Sequence, residues 1–92
     1  MKIRIYKPLV ACEEFYRSSW FKSRPKHIQK LFRKYPIFTR LNIDSIKYYL
    51  VGIDESKKKG NEMLIISKYN PLTDYQLAVN NKVKIHIKHL KQ

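Results

Sequence analysis

The sequence predicts a small α+β domain that combines an N-terminal strand, one amphipathic basic helix and a C-terminal antiparallel sheet. Three observations predict this class. Both ends of the chain alternate apolar and polar residues, which is the period of a half-buried strand. Between them, apolar residues recur at helical spacing over residues 25–35. A length of 92 residues suits one domain, so residues 1–92 are expected to fold as a unit.

The N-terminal segment predicts a strand and then a short helix. Ile3 and Ile5 alternate with basic and polar residues, so residues 2–6 read as a strand with one buried side. A short helix is expected across residues 11–18. Its two glutamates would lie in the first turn, where the helix dipole stabilises acids.

Residues 25–35 form the best-defined predicted element. Four apolar residues at positions i, i+3, i+4 and i+7 make one stripe: Ile28, Leu31, Phe32 and Tyr35. Pro25 suits the first helical turn, and Ser23 is placed to cap it. Pro36 closes the helix, because the residue before a proline is disfavoured in the helical conformation.

The middle of the chain fits two structures. Residues 43–53 have a helical spacing of apolar residues, and Asn42 or Asp44 would cap such a helix. The β-branched and aromatic content favours a strand over residues 47–53 instead. Residues 54–61 then predict the loop of a hairpin, with Gly60 at its end.

The last third of the chain predicts two strands. Residues 63–69 are an apolar run typical of a strand, and residues 73–80 fit either a helix or a strand. Residues 82–88 alternate strictly. In that alternation Val83, Ile85 and Ile87 point inward, and Lys82, Lys84, His86 and Lys88 point outward. This outward row of lysines can be interpreted as a binding surface. The competing interpretation is that the lysines keep an edge strand from pairing with strands of other molecules.

The positive charge is concentrated in two blocks. The formal net charge is +13. Residues 15–43 hold eight cations, no acid and seven of the twelve aromatic residues, and residues 75–92 hold four cations and no acid. Residues 44–74 are neutral, with five cations and five acids. If helix 25–35 lies beside strand 82–88, the two blocks form one patch.

Cations interleaved with aromatic residues are typical of a surface that binds nucleic acid or another acidic partner. The cations expected to bind are Arg17, Lys22, Arg24, Lys26, Lys30, Arg33, Lys34, Arg40, Lys82, Lys84 and Lys88. The aromatic residues expected to stack on bases, or to act as hot spots, are Tyr16, Trp20 and Phe21. Arginine is scarce beside lysine, which predicts salt-sensitive and weakly specific binding. The aromatic content favours RNA or single strands over duplex.

Two other functions fit the same composition. An inhibitor or accessory factor of a nucleoprotein machine, phage-like or from a mobile element, would use the cations for steering and Trp20 as a hot spot. The simpler interpretation of Trp20 is that its ring packs in the core. The simpler interpretation of the basic helix face is that it is an ordinary solvated surface. A small ribonuclease without a metal would recruit His27, His86, Lys84 and Tyr75.

The sequence predicts no cofactor, no metal site and no membrane span. The histidines His27, His86 and His89 are too few and too divergent for a zinc site. The single cysteine, Cys12, excludes an internal disulfide and fits a reducing, cytoplasmic location, with a buried thiol as its expected state. The two glycines are isolated, so no Gly-rich phosphate loop is present. No apolar run approaches the ~20 residues of a transmembrane helix.

Overall fold

An antiparallel sheet of five strands makes up the fold, and the helical segment between the first two strands packs on one of its faces. The computed structural model describes residues 2–8 and 11–90. The strands lie side by side in chain order: β1 (Ile3–Tyr6), β2 (Arg40–Ile43), β3 (Ile46–Asp54), β4 (Met63–Ser67) and β5 (Lys82–His86). The helices are α1 (Glu13–Arg17), α2 (Ser19–Lys22), α3 (Lys26–Lys34) and α4 (Tyr75–Asn80), and Ile87–Leu90 form a 3-10 turn. The predicted α+β class is confirmed.

Helix α3 covers the sheet through the apolar stripe that its sequence predicts. Ile28 and Phe32 are fully buried and belong to one hydrophobic cluster with side chains from all five strands. The sheet face that supplies these side chains is called the packed face, and it carries Ile3, Leu41, Leu50, Leu64 and Ile85. Burial of this apolar area is the main favourable term in the stability of the fold.

The strand register defines the opposite face of the sheet, because residues directly opposite each other on neighbouring strands share a face. Six of the side chains that β1 to β3 place on this face are here called the open surface: Arg4, Tyr6, Arg40, Asn42, Lys47 and Tyr49. Asp54, at the far end of β3, lies on the same face beside Lys84 of β5. Helices α1 to α3 pack on the other face. Arg4, Tyr6 and Lys47 are therefore exposed, and the other three are half-buried.

A two-residue turn decides that the middle of the chain forms strands. Asp44 and Ser45 have positive φ angles of 50° and 72°, as a type I′ hairpin turn requires. The backbone N–H of Asp44 donates to the Lys2 carbonyl, and its Oδ1 accepts from the Lys2 N–H, both at 2.9 Å. The strand predicted over residues 47–53 is confirmed. The alternative helix capped at Asn42 or Asp44 is wrong.

The C-terminal elements differ from the sequence prediction in their bounds. Residues 73–80, which fitted either structure, contain helix α4. Strand β5 ends at His86, whose Nδ1 accepts the Lys88 N–H at 3.0 Å as the chain enters the 3-10 turn. Lys88 therefore lies beyond the outward row of the strand. Val83 is 52% exposed although it was predicted to point inward, because β5 is an edge strand.

Two N-terminal details were also predicted incorrectly. Ser23 does not cap α3: its hydroxyl donates to the Trp20 carbonyl at 2.8 Å, and Pro25 is the residue at the N-cap of α3. Ile5 is 44% exposed, because β1 is the other edge strand of the sheet. The short helix across residues 11–18 is confirmed as α1, with both glutamates in its first turn.

Packed aromatic rings and one hydroxyl group join α1 and α2 to α3. The centroids of the Phe15 and Phe32 rings are 5.1 Å apart, and those of Phe21 and Phe32 are 6.0 Å apart. The Tyr16 hydroxyl donates to the Phe32 carbonyl at 2.8 Å and accepts from the Ile37 N–H at 3.1 Å. This one side chain thus pairs two backbone groups at the C-terminal end of α3.

We expect Tyr16→Phe to lower the free energy of unfolding by about 1–3 kcal/mol, because it leaves the Phe32 carbonyl and the Ile37 N–H without partners. Urea denaturation followed by circular dichroism measures the change. Tyr75→Phe is the matched control, since Tyr75 is 57% exposed and its hydroxyl is accessible to water. Equal stability of the two variants would contradict a stabilising role for the Tyr16 hydroxyl.

Candidate nucleic-acid interface

Three side chains in register cross the open surface from the edge of the sheet to its centre. Tyr6 on β1 lies opposite Arg40 on β2, and Arg40 lies opposite Tyr49 on β3. Neighbouring strands are about 4.8 Å apart, so the two tyrosines are about 10 Å apart with the arginine between them. We call these three residues the Tyr–Arg–Tyr row. Its order places a cation between two aromatic rings.

Arg40 is positioned by its aromatic neighbour rather than by an acid. Its guanidinium carbon lies 5.9 Å from the centroid of the Tyr6 ring, within the range of a cation–π interaction. Its Nε is buried and has no hydrogen-bond partner among the described residues. A buried donor without a partner costs free energy, so the half-buried Arg40 is held in place at some cost to stability.

A second row on the open surface adds charge. Arg4 on β1 lies opposite Asn42 on β2, which lies opposite Lys47 on β3. The Asn42 amide reaches the Tyr6 hydroxyl at 3.5 Å, which is at the long limit of a hydrogen bond. The six residues of the open surface therefore include three cations, and the carboxylate of Asp54 on the same face pairs with Lys84 rather than with any of the three.

The same face of the sheet continues onto β4 and β5 with a different chemistry. Lys82 on β5 ends the row that begins at Tyr6, with Ser67 of β4 between it and Tyr49. The buried Ser67 hydroxyl donates to the Asn81 carbonyl at 3.0 Å, so the segment after α4 meets the face here. Lys84 pairs with Asp54 at 2.8 Å, which compensates its charge in the unbound protein.

The basic helix lies on the other side of the sheet. Four exposed cations, here called the α3 cations, are Lys26, Lys30, Arg33 and Lys34. They point away from the sheet, because Ile28 and Phe32 of the same helix point into the core. No ion pair joins any of the four to a carboxylate in the part of the chain that the structure describes. The two charged blocks thus do not form the single patch that the sequence suggested.

The other predicted cations are scattered or paired. Arg17 forms an exposed ion pair with Glu13 at 3.3 Å. Arg24 pairs with Glu55 at 3.3 Å. Lys22 is exposed at the end of α2, and Lys88 is exposed in the 3-10 turn. Pairs of this kind lower the charge available to a partner and contribute little to stability.

The predicted stacking residues have three different environments. Phe21 is 1% exposed, so its ring is part of the core and inaccessible to a base. The Tyr16 hydroxyl makes the two backbone hydrogen bonds described above. Trp20 is 50% exposed, and the Arg24 guanidinium carbon lies 4.9 Å from its ring centroid. Trp20 therefore combines both interpretations, since its ring packs on Phe15 and Phe32 while half of the side chain stays exposed.

Tyr6 and Tyr49 were missed as candidate stacking residues. The alternation of β1 places Tyr6 on the side opposite Ile3, which was a usable signal. No comparable signal separates Tyr48 from Tyr49, because neighbouring tyrosines on a strand point to opposite faces. Only the pairing of Tyr49 with Arg40 shows which tyrosine joins the row.

The residues considered for a ribonuclease are not brought together. The His27 Nε2 lies 3.6 Å from Oε1 of Glu62, whose other oxygen accepts the Gly60 N–H at 2.8 Å. His27 belongs to α3 on the packed side, whereas Lys84 and His86 lie on the opposite face of the sheet. Among the described residues, no group of three or more His, Cys, Asp or Glu side chains could hold a metal ion.

A cavity of about 480 Å³ lies between α1 and the end of α3, and Cys12 and Arg33 are among the residues that line it. Burial raises the pKa of the Cys12 thiol above its ordinary value, and the nearby Glu14 carboxylate raises it further. The thiol therefore stays protonated at neutral pH. A protonated thiol is a weaker nucleophile than a thiolate, so these surroundings do not activate Cys12.

Within residues 2–8 and 11–90, no helix is long and apolar enough to cross a membrane. Comparisons of the chain with protein-family models, with curated proteins and with solved structures found no match.

Proposed function

We propose that this protein binds single-stranded nucleic acid on its open surface. The observation that carries the proposal is the Tyr–Arg–Tyr row, in which an exposed ring at the sheet edge and a half-buried ring at its centre flank a cation. Stacking of a base on an aromatic side chain contributes about 1–3 kcal/mol and tolerates any sequence. A guanidinium group stacks on bases and also pairs with phosphate.

The spacing of the row suits a single strand of nucleic acid. Side chains on adjacent strands are about 4.8 Å apart, so one single strand that crosses the sheet can contact all three residues of the row. Its bases would stack on Tyr6 and Tyr49, with Arg40 between them. In a duplex the faces of the bases are covered by their neighbours, so a single strand is the form that can use the row.

The cations around the row would hold the phosphates. Arg4 and Lys47 lie on one side of it, and Lys82 lies beyond its central end. Side chains suited to reading base edges are few on this surface, where Asn42 is the only amide. We therefore propose that affinity depends on salt and only weakly on sequence.

The salt dependence of binding tests the role of these cations. For single strands, each neutralised phosphate contributes about 0.7 to the slope of log affinity against log salt concentration. We expect Arg4→Gln with Lys47→Gln to lower this slope by about 1.4, because two phosphate contacts are lost. The slope is measured by fluorescence anisotropy of a labelled oligothymidylate of twelve nucleotides at several salt concentrations.

The matched control is Lys57→Gln with Lys58→Gln, which removes the same charge from the loop between β3 and β4. Its slope should stay close to that of the parent protein. An equal reduction in both variants would show that total charge, rather than the open surface, determines binding. Absence of any oligothymidylate binding by the parent protein at low salt would overturn the proposed function.

A further inference from the structure

The α3 cations are a second surface that an anion can reach. Lys26, Lys30 and Lys34 are four residues apart, so they form one ridge along the exposed side of the helix. All three are exposed. Within the described chain no ion pair joins them to an acid, so their charges are uncompensated in the unbound protein.

Helix α3 lies on the opposite side of the sheet from the Tyr–Arg–Tyr row, so Lys26 and Lys30 are separated from the row by the sheet. Lys34, at the end of the helix, lines a cavity with Arg4 and Tyr6 at the edge of β1 and is the ridge residue nearest the row. The shortest extent of the molecule is 23 Å. The Debye length at physiological ionic strength is about 8 Å, so charges on one side are largely screened from the other. A nucleic acid on the open surface therefore leaves the α3 cations available to a second polyanion.

The chemistry of the ridge selects a phosphate backbone rather than bases. The aromatic residues of this segment, Phe32 and Tyr35, are buried in the core and offer no ring for stacking. The half-exposed Trp20 ring, which contacts Phe32, already carries the Arg24 guanidinium on one face. Evenly spaced cations match regularly spaced phosphates of any sequence. Such a surface accepts a duplex as readily as a single strand.

We infer that one molecule of this protein bridges two nucleic-acid segments. A single strand occupies the Tyr–Arg–Tyr row, and the backbone of a second segment lies along the α3 cations. This inference rests on the proposed function for the binding of the first strand. Binding of the second segment is inferred from the α3 cations. Bridging holds two segments within about the thickness of one small protein, which raises their effective concentration for each other.

A capture assay tests the bridge. Oligothymidylate on beads is saturated with protein at about 50 mM salt, free protein is washed away, and a labelled duplex of unrelated sequence is added. The parent protein should retain the duplex on the beads. Lys26→Glu with Lys30→Glu should remain bound to the beads and retain less than about a tenth as much duplex, because two phosphate contacts become repulsive.

Lys68→Glu is the matched control for Lys30→Glu made alone, because it makes the same change of net charge at an exposed lysine that follows β4 and belongs to neither surface. The loop between β3 and β4 is unsuitable for this control, because Lys57 lines a cavity with Pro25 and His27 at the start of α3. Lys68→Glu should capture the duplex like the parent protein. Light scattering on each variant should give a monomer, since a dimer would join two open surfaces without the α3 cations. A parent protein that captures duplex only as a dimer would overturn the inference.

The remaining outcomes separate the two proposals. Protein on the beads without captured duplex would overturn the bridge and leave the proposed function intact. No protein on the beads would overturn the proposed function itself. Equal capture by the α3 variant and the parent would show that these cations are not the second surface. Retention of polyglutamate with no retention of duplex would show an acidic-protein surface and overturn the bridge.

Discussion

Replacing Tyr6 and Tyr49 together with alanine is expected to weaken binding of a single-stranded oligonucleotide by about 30-fold or more. Each lost stacking interaction costs about 1–3 kcal/mol, and 1.4 kcal/mol corresponds to a factor of ten in affinity. Two losses at the lower limit give about 30-fold. The measurement is anisotropy of labelled oligothymidylate at about 200 mM salt, where contacts to phosphate alone are weak.

Two further variants show whether stacking is the cause. Tyr6→Phe with Tyr49→Phe keeps both rings, so it should retain most of the affinity. Tyr69→Ala with Tyr75→Ala removes two exposed tyrosines that lie outside the row and should leave the affinity unchanged. If the alanine variants at positions 6 and 49 bind as tightly as the parent protein, the row is not the binding site.

The preference for single strands should change along with affinity. The parent protein is expected to bind oligothymidylate more tightly than a duplex of equal length, because only the single strand exposes base faces. Without the two rings, only phosphate contacts remain, and these do not distinguish the two forms strongly. A loss of affinity that is equal for duplex and single strand would indicate damage to the fold rather than loss of stacking.

The largest expected effect on stability is that of Phe32→Ala, about 3–5 kcal/mol. Phe32 is 1% exposed, and its ring contacts those of Phe15, Trp20 and Phe21. It joins α1 and α2 to α3 and packs α3 on the sheet. A domain of this size is stabilised by roughly 5–14 kcal/mol, so the loss is a large share of the total. Urea denaturation followed by circular dichroism measures it.

Trp20→Ala provides the comparison for Phe32→Ala. Trp20 belongs to the same ring cluster, with its ring centroid 6.1 Å from that of Phe32, but half of the side chain is exposed. Its removal leaves a smaller cavity, so the loss of stability should be clearly smaller, about 1–2 kcal/mol. A loss from Phe32→Ala that is no larger than that from Trp20→Ala would place the centre of the core elsewhere.

The cations lie on both sides of the sheet, and this distribution affects both the stability of the fold and the attraction of polyanions. A charge of +13 on a small domain disfavours the compact state by self-repulsion. Division between two faces reduces this repulsion, because screening weakens interactions across the molecule. The same division gives two places at which a polyanion is attracted. The bridge proposed above depends on this division, because cations gathered on one face would attract a single polyanion.

Local periodicity was sufficient to predict part of the fold. The apolar stripe of residues 25–35 ends at Pro36, and these features predict α3 because helical spacing involves only neighbours along the chain. The alternation of β1 works in the same way. The strand over residues 47–53 was ambiguous, since its apolar residues fit both periods. It was decided by a turn at Asp44 that is held by the backbone of Lys2, a residue 42 positions away.

The amino-acid sequence by itself determined that the protein is cationic, aromatic and of the α+β class. Only the tertiary structure decided which cations and rings share a surface. Arg40 lies beside Tyr6 through strand pairing, although the two are far apart in the chain. Trp20 is half-exposed and its neighbour Phe21 is buried because of how α2 packs against α3. Charge and periodicity are properties of a segment, whereas a binding surface depends on contacts between distant segments.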